Sequence, residues 1–109
     1  MAAVSFRDLT VWQKAMDLSV EVYRLSASFP PDERFRLTAQ LLRAVASVPA
    51  NIAEGNGRGT RKDYAHFVAI ARGSLAETET FLLLAIRLRF LDEARAARAF
   101  ALASEVGRM

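Results

Sequence analysis

Six polar residues recur at helical spacing in the middle of the sequence, and they carry most of its potential chemistry. Steps of three and four place them on one face of a helix, opposite an apolar face: Gln40, Arg43, Ser47, Asn51, Glu54 and Arg58. A second polar group follows in the next predicted helix: Arg72, Ser74, Glu77 and Glu79. Three interpretations are open: a hydrogen-bonded network between helices, the lining of a subunit interface or pore, and a catalytic carboxylate pair, Glu54 with Glu77. We favour the structural network, because buried charges must be paired and hydrogen-bonded.

Metal-dependent and nucleophilic catalysis need residues that this sequence lacks. Its only histidine is His66, and it has no cysteine. A di-iron bundle needs two Glu-x-x-His pairs, but the residue three positions before His66 is Asp63. A hydrolytic triad is disfavoured on the same ground. We therefore predict no metal, no cofactor and no enzymatic activity, and we interpret His66 as a surface or interface residue.

Three closely spaced glycines, Gly55, Gly57 and Gly59, resemble a dinucleotide-binding fingerprint only superficially. That fingerprint follows a strand and opens a helix, whereas these glycines follow a predicted helix. They predict a turn between two helices. The functional alternative is an anion site at the start of the next helix, beside Arg58, Arg61 and Lys62.

Basic residues are concentrated in the middle of the chain. The formal net charge is +3, and residues 34–76 hold seven basic and two acidic side chains. The preference for arginine over lysine is typical of a GC-rich genome, but arginine and lysine also bind phosphates in any nucleotide sequence. The candidate nucleic-acid-binding residues are Arg58, Arg61, Lys62, Arg87, Arg89 and Arg95.

The sequence predicts four helices, because its apolar residues recur at intervals of three and four residues rather than at intervals of two. We expect the first over residues 9–28, with a capping box of Thr10 and Gln13 or with Asp8 as its cap. The second runs from residue 32 or 37 to 56; Pro49 allows a kink or a break into two helices, and we favour a kink because the apolar stripe keeps its phase across it. The third covers residues 61–90 and is capped by Thr60; the fourth covers 92–105. Short connections then predict an all-α, up-down-up-down four-helix bundle with one domain over residues 1–109.

Two details of these helices predict contacts beyond the core. The apolar arc of the first helix, which includes Trp12 and Tyr23, is wider than one bundle requires and predicts contact with another subunit. Gly73 interrupts the third helix at a cost of about 1 kcal/mol relative to alanine. Together with Ser74, it predicts a close approach between two helices.

The composition also indicates the cellular compartment in which the protein is expected. The 109 residues include no cysteine, which fits a reducing environment. Residues 1–6 lack the pattern of a signal peptide, and no apolar run approaches the roughly 20 residues of a membrane span. We expect a cytoplasmic protein that makes no membrane contact and takes no small-molecule substrate.

Several segments closely resemble the bacterial four helix bundle protein family, first noticed as reading frames in 23S rRNA intervening sequences. They are residues 6–15 (FRDLTVWQKA), 40–44 (QLLRA), 47–55 (SVPANIAEG) and 67–75 (FVAIARGSL), with Gly57, Arg58 and Glu77. The chain departs from the family's pattern at Asn56, where relatives often have a bulky residue. The resemblance implies a homopentameric ring and kinship with the accessory protein of diversity-generating retroelements, which binds nucleic acid and a reverse transcriptase.

These observations favour a non-enzymatic, homo-oligomeric scaffold that contacts RNA or DNA through its arginines. The alternative is a protein–protein interaction module, with no nucleic-acid role, that binds partner chains through the apolar first helix. An enzyme that uses Glu54 is the least favoured interpretation.

Overall fold

The computed structural model describes residues 5–109, and within them every regular element is helical. The four α-helices are α1 (Thr10–Ser26), α2 (Leu37–Arg58), α3 (Arg61–Arg87) and α4 (Glu93–Arg108). Single 3-10 turns precede α1 and α2, at Phe6–Asp8 and Pro31–Glu33. The prediction of an all-α fold is confirmed. The first four residues, which belong to the predicted domain and to the stretch searched for a signal peptide, lie outside this description.

The helices pack in a cycle in which each contacts two others. α1 packs closely against α2 and α4, and α3 packs against the same two helices, whereas no Cα atoms lie within 8 Å of each other between α1 and α3 or between α2 and α4. Short connections make successive helices antiparallel. The molecule measures 50 × 24 × 17 Å. The predicted up-down-up-down bundle is therefore confirmed, with α1 and α3 on one diagonal.

The predicted capping box of α1 is wrong. The N-cap is Leu9, whose backbone is extended and whose side chain caps nothing, and Thr10 is already helical. The Gln13 amide instead donates to the Arg7 carbonyl, at 2.9 Å. Asp8 lies in the preceding 3-10 turn, which is capped by Ser5. That turn supplies the local hydrogen bonds, so the helix begins without a side-chain cap.

The predicted glycine turn between α2 and α3 is confirmed at Gly59, but its predicted extent over Gly55 and Gly57 is wrong, because α2 continues to Arg58. Only Gly59 leaves the helix, with the positive φ of 82° that favours glycine. Gly55 stays helical and lies against α3, where an added Cβ would come 2.9 Å from the Phe67 Cβ. The Thr60 hydroxyl accepts from the Asp63 amide at 3.1 Å. The predicted cap of α3 is therefore confirmed.

Pro49 lies inside α2, which continues on both sides of it. Proline has no N–H to donate to the carbonyl four residues earlier, which belongs to Val45. The hydroxyl of Ser19 on α1 lies 3.3 Å from that oxygen, and 2.9 Å from the carbonyl oxygen of Ala15. A neighbouring helix thus offers a donor to the carbonyl that proline leaves unpaired. The bend at Pro49 itself stays a prediction.

The third helix ends at Arg87, three residues before the predicted end. Arg89 adopts the left-handed conformation, with φ of 64°. The Arg89 amide donates to the Ile86 carbonyl at 3.0 Å, and the Phe90 amide donates to the Ala85 carbonyl at 2.9 Å. These are the two bonds of a Schellman motif, with arginine in the position that usually holds glycine. Asp92 then caps α4 by accepting from the Arg95 amide at 2.8 Å, as predicted.

The core is aliphatic and draws on all four helices. Its fully buried members include Leu18 and Val22 of α1, Leu41 and Val45 of α2, Leu82 of α3 and Ala99 of α4. The close approach predicted at Gly73 with Ser74 is wrong for Gly73, since no atom lies within 4 Å of an added Cβ there. Gly73 faces outward, whereas Ser74 meets Ser47 of α2 at 2.8 Å, and Gly55 of α2 lies against Phe67 of α3.

Candidate functional site

The polar residues of α2 and α3 meet at a small cluster of hydrogen bonds. The hydroxyls of Ser47 and Ser74 lie 2.8 Å apart and join the two helices. The Asn51 amide donates to both the hydroxyl and the carbonyl of Ser47, at 2.8 Å each. We call Ser47, Asn51 and Ser74 the serine cluster. The structure thus brings together three residues of the predicted network.

A polar groove continues from the serine cluster along α2 and α3. It is lined by Gln40, Arg43, Ala44, Ser47, Ser74, Glu77 and Phe81. Within residues 5–109, the side chains of Gln40, Arg43 and Glu77 form no hydrogen bond or ion pair. A cation and an anion therefore share one groove without pairing, and both remain available to a partner.

Glu54 and Arg58 stand apart from this groove. Their side chains pair at 2.8 Å along α2, and the Arg58 guanidinium lies over the Phe67 ring, 5.1 Å from its centroid. Glu54 follows Ser47 by about two helical turns, while Glu77 lies on the other side of the serine cluster. The structure therefore does not bring Glu54 and Glu77 into one carboxylate site.

Arg72 also lies away from the polar groove. It borders a small, mainly apolar cavity between the helices, together with Tyr64, Val68, Leu75 and Met109. The cavity holds about 70 Å³, far below the roughly 300 Å³ at which ligand pockets begin. This cavity is too small for a substrate-sized ligand.

The six candidate nucleic-acid-binding residues separate into two clusters. The tip cluster, Arg58, Arg61 and Lys62, surrounds the turn between α2 and α3. The far cluster, Arg87, Arg89 and Arg95, surrounds the turn between α3 and α4. The 27 residues of α3 separate them, which is about 40 Å at 1.5 Å per residue. All six are exposed, but they form two surfaces at opposite ends of the bundle.

Within residues 5–109, five of the six residues in these clusters form no ion pair, and Arg58, which pairs with Glu54, is the exception. In the described part of the chain, no charged side chain of α3 forms an ion pair, and Arg89 forms none. By contrast, Lys14 of α1 pairs with Glu105 of α4 at 3.1 Å, and Arg24 pairs with Glu21 at the same distance. Arg95 donates to the Ser28 hydroxyl at 3.3 Å. The cations of α3 are thus exposed and uncompensated.

The structure gives no grouping that suggests metal chemistry. His66 is exposed, and its ring meets the Phe67 ring edge-on at 5.1 Å. Nowhere in residues 5–109 do three histidine, aspartate or glutamate side chains gather as metal ligands would. None of the helices in that range combines the length and apolar composition that crossing a membrane requires.

Sequence reasoning missed an exposed apolar group on the outer side of α3. Leu83, Leu84 and Leu88 are all about half exposed. For Leu83 and Leu84, the available signal was that they lie beside the core stripe of Leu82 and Ala85, whereas the apolar spacing wrongly predicts Leu88 to be part of that stripe. A run of leucines near the end of a helix hides this distinction until the neighbouring helices are placed.

Comparison with known proteins gives a family match and a fold match. A family model described as 23S rRNA-intervening sequence protein matches residues 7–109. A protein with unknown function from the S23 ribosomal protein family of Bacteroides thetaiotaomicron VPI-5482 has a similar crystal structure, with a TM-score of 0.80. The sequences are 24% identical, and the match covers 91% of this chain and 93% of that one, so the likeness shows the fold. No curated protein sequence matches the chain.

Proposed function

The chain belongs to the 23S rRNA-intervening sequence protein family, and from this premise we propose that it is a non-enzymatic, homopentameric scaffold that contacts nucleic acid through its arginines. The family's name links it to an RNA. Neither that name nor the description of the similar structure names a catalytic activity. The proposal rests on the charged residues of α3.

The observation that carries the proposal is the position of Arg61 and Lys62. Both lie in the first turn of α3, exposed and without an ion pair. The N-terminus of a helix carries a partial positive charge, so cations there are unfavourable to the helix. Arg87, in the last turn, is placed where a cation stabilises the helix. The tip cluster is therefore the better candidate for a phosphate contact, since Arg61 and Lys62 do not help the helix that carries them.

The N-terminal end of α3 also offers backbone amide groups to a phosphate. The free backbone amides at a helix N-terminus point toward an anion and add to the attraction of nearby cations. One chain with a net charge of +3 attracts nucleic acid only weakly. A ring would repeat the tip cluster around its axis, and binding would then become multivalent.

The test is fluorescence anisotropy with a structured RNA and a duplex DNA, at about 50 and about 200 mM salt, where phosphate contacts lose affinity steeply. The variant Arg61→Glu/Lys62→Glu should bind at least about tenfold more weakly, with a salt slope reduced by about two. Arg89→Glu/Arg95→Glu is the matched control at the other end; it leaves Arg87 unchanged and should lose less affinity.

Two controls make the result interpretable. Arg61→Lys keeps the charge and should keep most of the affinity, and circular dichroism should show unchanged helix content in every variant. If the wild-type protein binds neither nucleic acid at low salt, the nucleic-acid role is wrong. Sedimentation tests the assembly separately, and a mass other than five chains would contradict the pentamer.

A second candidate function is a protein–protein interaction module with no nucleic-acid role. The exposed apolar face of α1, which includes Met16, Val20 and Tyr23, favours it. A partner that remains bound after nuclease treatment, and that Val20→Glu releases, would support this function. A complete lack of nucleic-acid binding would then leave it as the function to pursue.

A further inference from the structure

Among the described residues 5–109, exposed apolar side chains form a groove between two helices and a ridge on a third. The first, which we call the α1–α2 groove, has Trp12, Ser19 and Pro49 at its base. Its edges are Met16 on α1 and three alanines on α2, Ala46, Ala50 and Ala53. Val20 and Tyr23, which are 54% and 52% exposed, continue this apolar surface along α1.

The second surface, which we call the α3 ridge, consists of Leu83, Leu84 and Leu88. Their exposed fractions are 54%, 42% and 48%. Arg87 lies among them and forms no ion pair in the described chain. Grouped exposed aliphatic residues of this kind mark interaction sites in soluble proteins.

The shapes of the two surfaces are complementary. The groove has small alanine side chains along the α2 edge, which leave room for larger groups. The ridge presents three leucines on one side of a helix. Helices pack when the ridge of one enters the groove of another. The ridge of one copy is therefore a suitable occupant for the groove of a second copy.

The arrangement of the helices determines how such copies can be joined. The ridge lies at the C-terminal end of α3, which is diagonal to α1 in the bundle, with no Cα atoms of the two helices within 8 Å of each other. The two surfaces therefore face different directions. A contact between two identical surfaces would leave the other surface of each chain exposed, whereas a head-to-tail contact covers both.

Charge also favours a contact between unlike surfaces. Asp17 is exposed on α1 beside Met16 and Val20, and it has no ion-pair partner in the described chain. Two ridges brought together would oppose two Arg87 guanidinium groups. A ridge in the groove would instead bring Arg87 close to Asp17, so that each charge meets its opposite.

We propose that the α3 ridge of one copy packs into the α1–α2 groove of the next, in a head-to-tail contact that builds the oligomer. This inference rests on the assembly proposed above and specifies its interface. The contact is heterologous, so it continues around a ring until the ring closes.

The test uses two variants, each of which damages one surface. Val20→Glu places a charge on the groove side, and Leu84→Glu places one on the ridge. Both positions are substantially exposed, so each variant should fold as a monomer, and cooperative thermal unfolding should verify this. An equimolar mixture retains one intact groove and one intact ridge. It should therefore form a heterodimer and nothing larger, as measured by sedimentation velocity.

Other outcomes overturn the proposal and show where it fails. If either variant alone forms dimers, identical surfaces pair. If both variants assemble as the wild type does, the interface lies elsewhere while the assembly stands. If the wild-type chain is itself a monomer at all concentrations, the proposed assembly fails too. A charge exchange gives a second readout: Asp17→Arg should weaken assembly, and Asp17→Arg/Arg87→Asp should restore it.

Discussion

At the scale of single residues, Arg89 has a backbone conformation that is unfavourable for a residue with a side chain. It is the one non-glycine residue of residues 5–109 with a positive φ. For an L-residue with a Cβ, this left-handed conformation costs roughly 1–2 kcal/mol. The Schellman hydrogen bonds at the end of α3 nevertheless require it.

We predict that Arg89→Gly raises the free energy of unfolding by up to about 1 kcal/mol, because glycine adopts the left-handed conformation without steric cost. Urea denaturation followed by circular dichroism measures the change. The matched control is Arg87→Gly, because Arg87 has helical geometry in the last turn of α3. This substitution should lower the free energy of unfolding by about 1 kcal/mol. A destabilised Arg89→Gly variant would contradict the interpretation.

The same substitution bears on function, since Arg89 belongs to the far cluster. Arg89→Lys keeps both the positive charge and the unfavourable conformation. If the far cluster binds phosphate, Arg89→Gly should weaken nucleic-acid binding while stabilising the fold, and Arg89→Lys should do neither. A residue that opposes local backbone preference is a reasonable place to look for function.

At the scale of helices, the contact between α2 and α3 depends on Gly55 of α2 and not on Gly73 of α3. At Gly55 an added Cβ would lie 2.9 Å from the Phe67 Cβ and 3.3 Å from the Tyr64 Cα. These atoms belong to the backbone or lie next to it, so only a movement of the helices makes room. Gly73, on the outer side of α3, has no such neighbour.

We predict opposite effects for the same substitution at these two positions. Gly55→Ala should destabilise the protein by about 1–3 kcal/mol, because it forces α2 and α3 apart. Gly73→Ala should stabilise it by about 0.5–1 kcal/mol, through the better helix propensity of alanine. Chemical denaturation of both variants under one set of conditions gives the comparison. Equal effects would show that helix propensity alone determines the cost.

The contact between α1 and α2 includes a bond that replaces one lost at Pro49. If the Ser19 hydroxyl supports the Val45 carbonyl, Ser19→Ala should cost about 1–2 kcal/mol, as leaving a buried acceptor unpaired does. In a Pro49→Ala background, the amide restored at position 49 can donate to that carbonyl. The cost of Ser19→Ala should then fall by at least about 0.5 kcal/mol, which a double-mutant cycle measures. An identical cost in both backgrounds would mean that the Ala15 carbonyl is the true acceptor.

At the scale of the whole molecule, the features that follow local rules were predictable. The Thr60 and Asp92 caps depend on side chains within three residues, and the number and order of helices follow from apolar periodicity. The end of α2 was not predictable from Gly55 and Gly57, because contact with α3 keeps the helix intact past them. The positions of the arginines relative to one another required the length and direction of α3, which separates them by about 40 Å.

The prediction that concerns the molecule as a whole is that its stability depends on its own concentration. Assembly stabilises the folded state by mass action, because only folded chains present both the groove and the ridge. We expect the Tm of the wild-type protein to rise over a hundredfold range of concentration, and that of Val20→Glu and Leu84→Glu to stay constant. Differential scanning calorimetry measures all three, with Gly73→Ala as a stability control that should keep the wild-type dependence. A concentration-independent wild-type Tm, together with a monomeric mass, would mean that the apolar surfaces serve another partner.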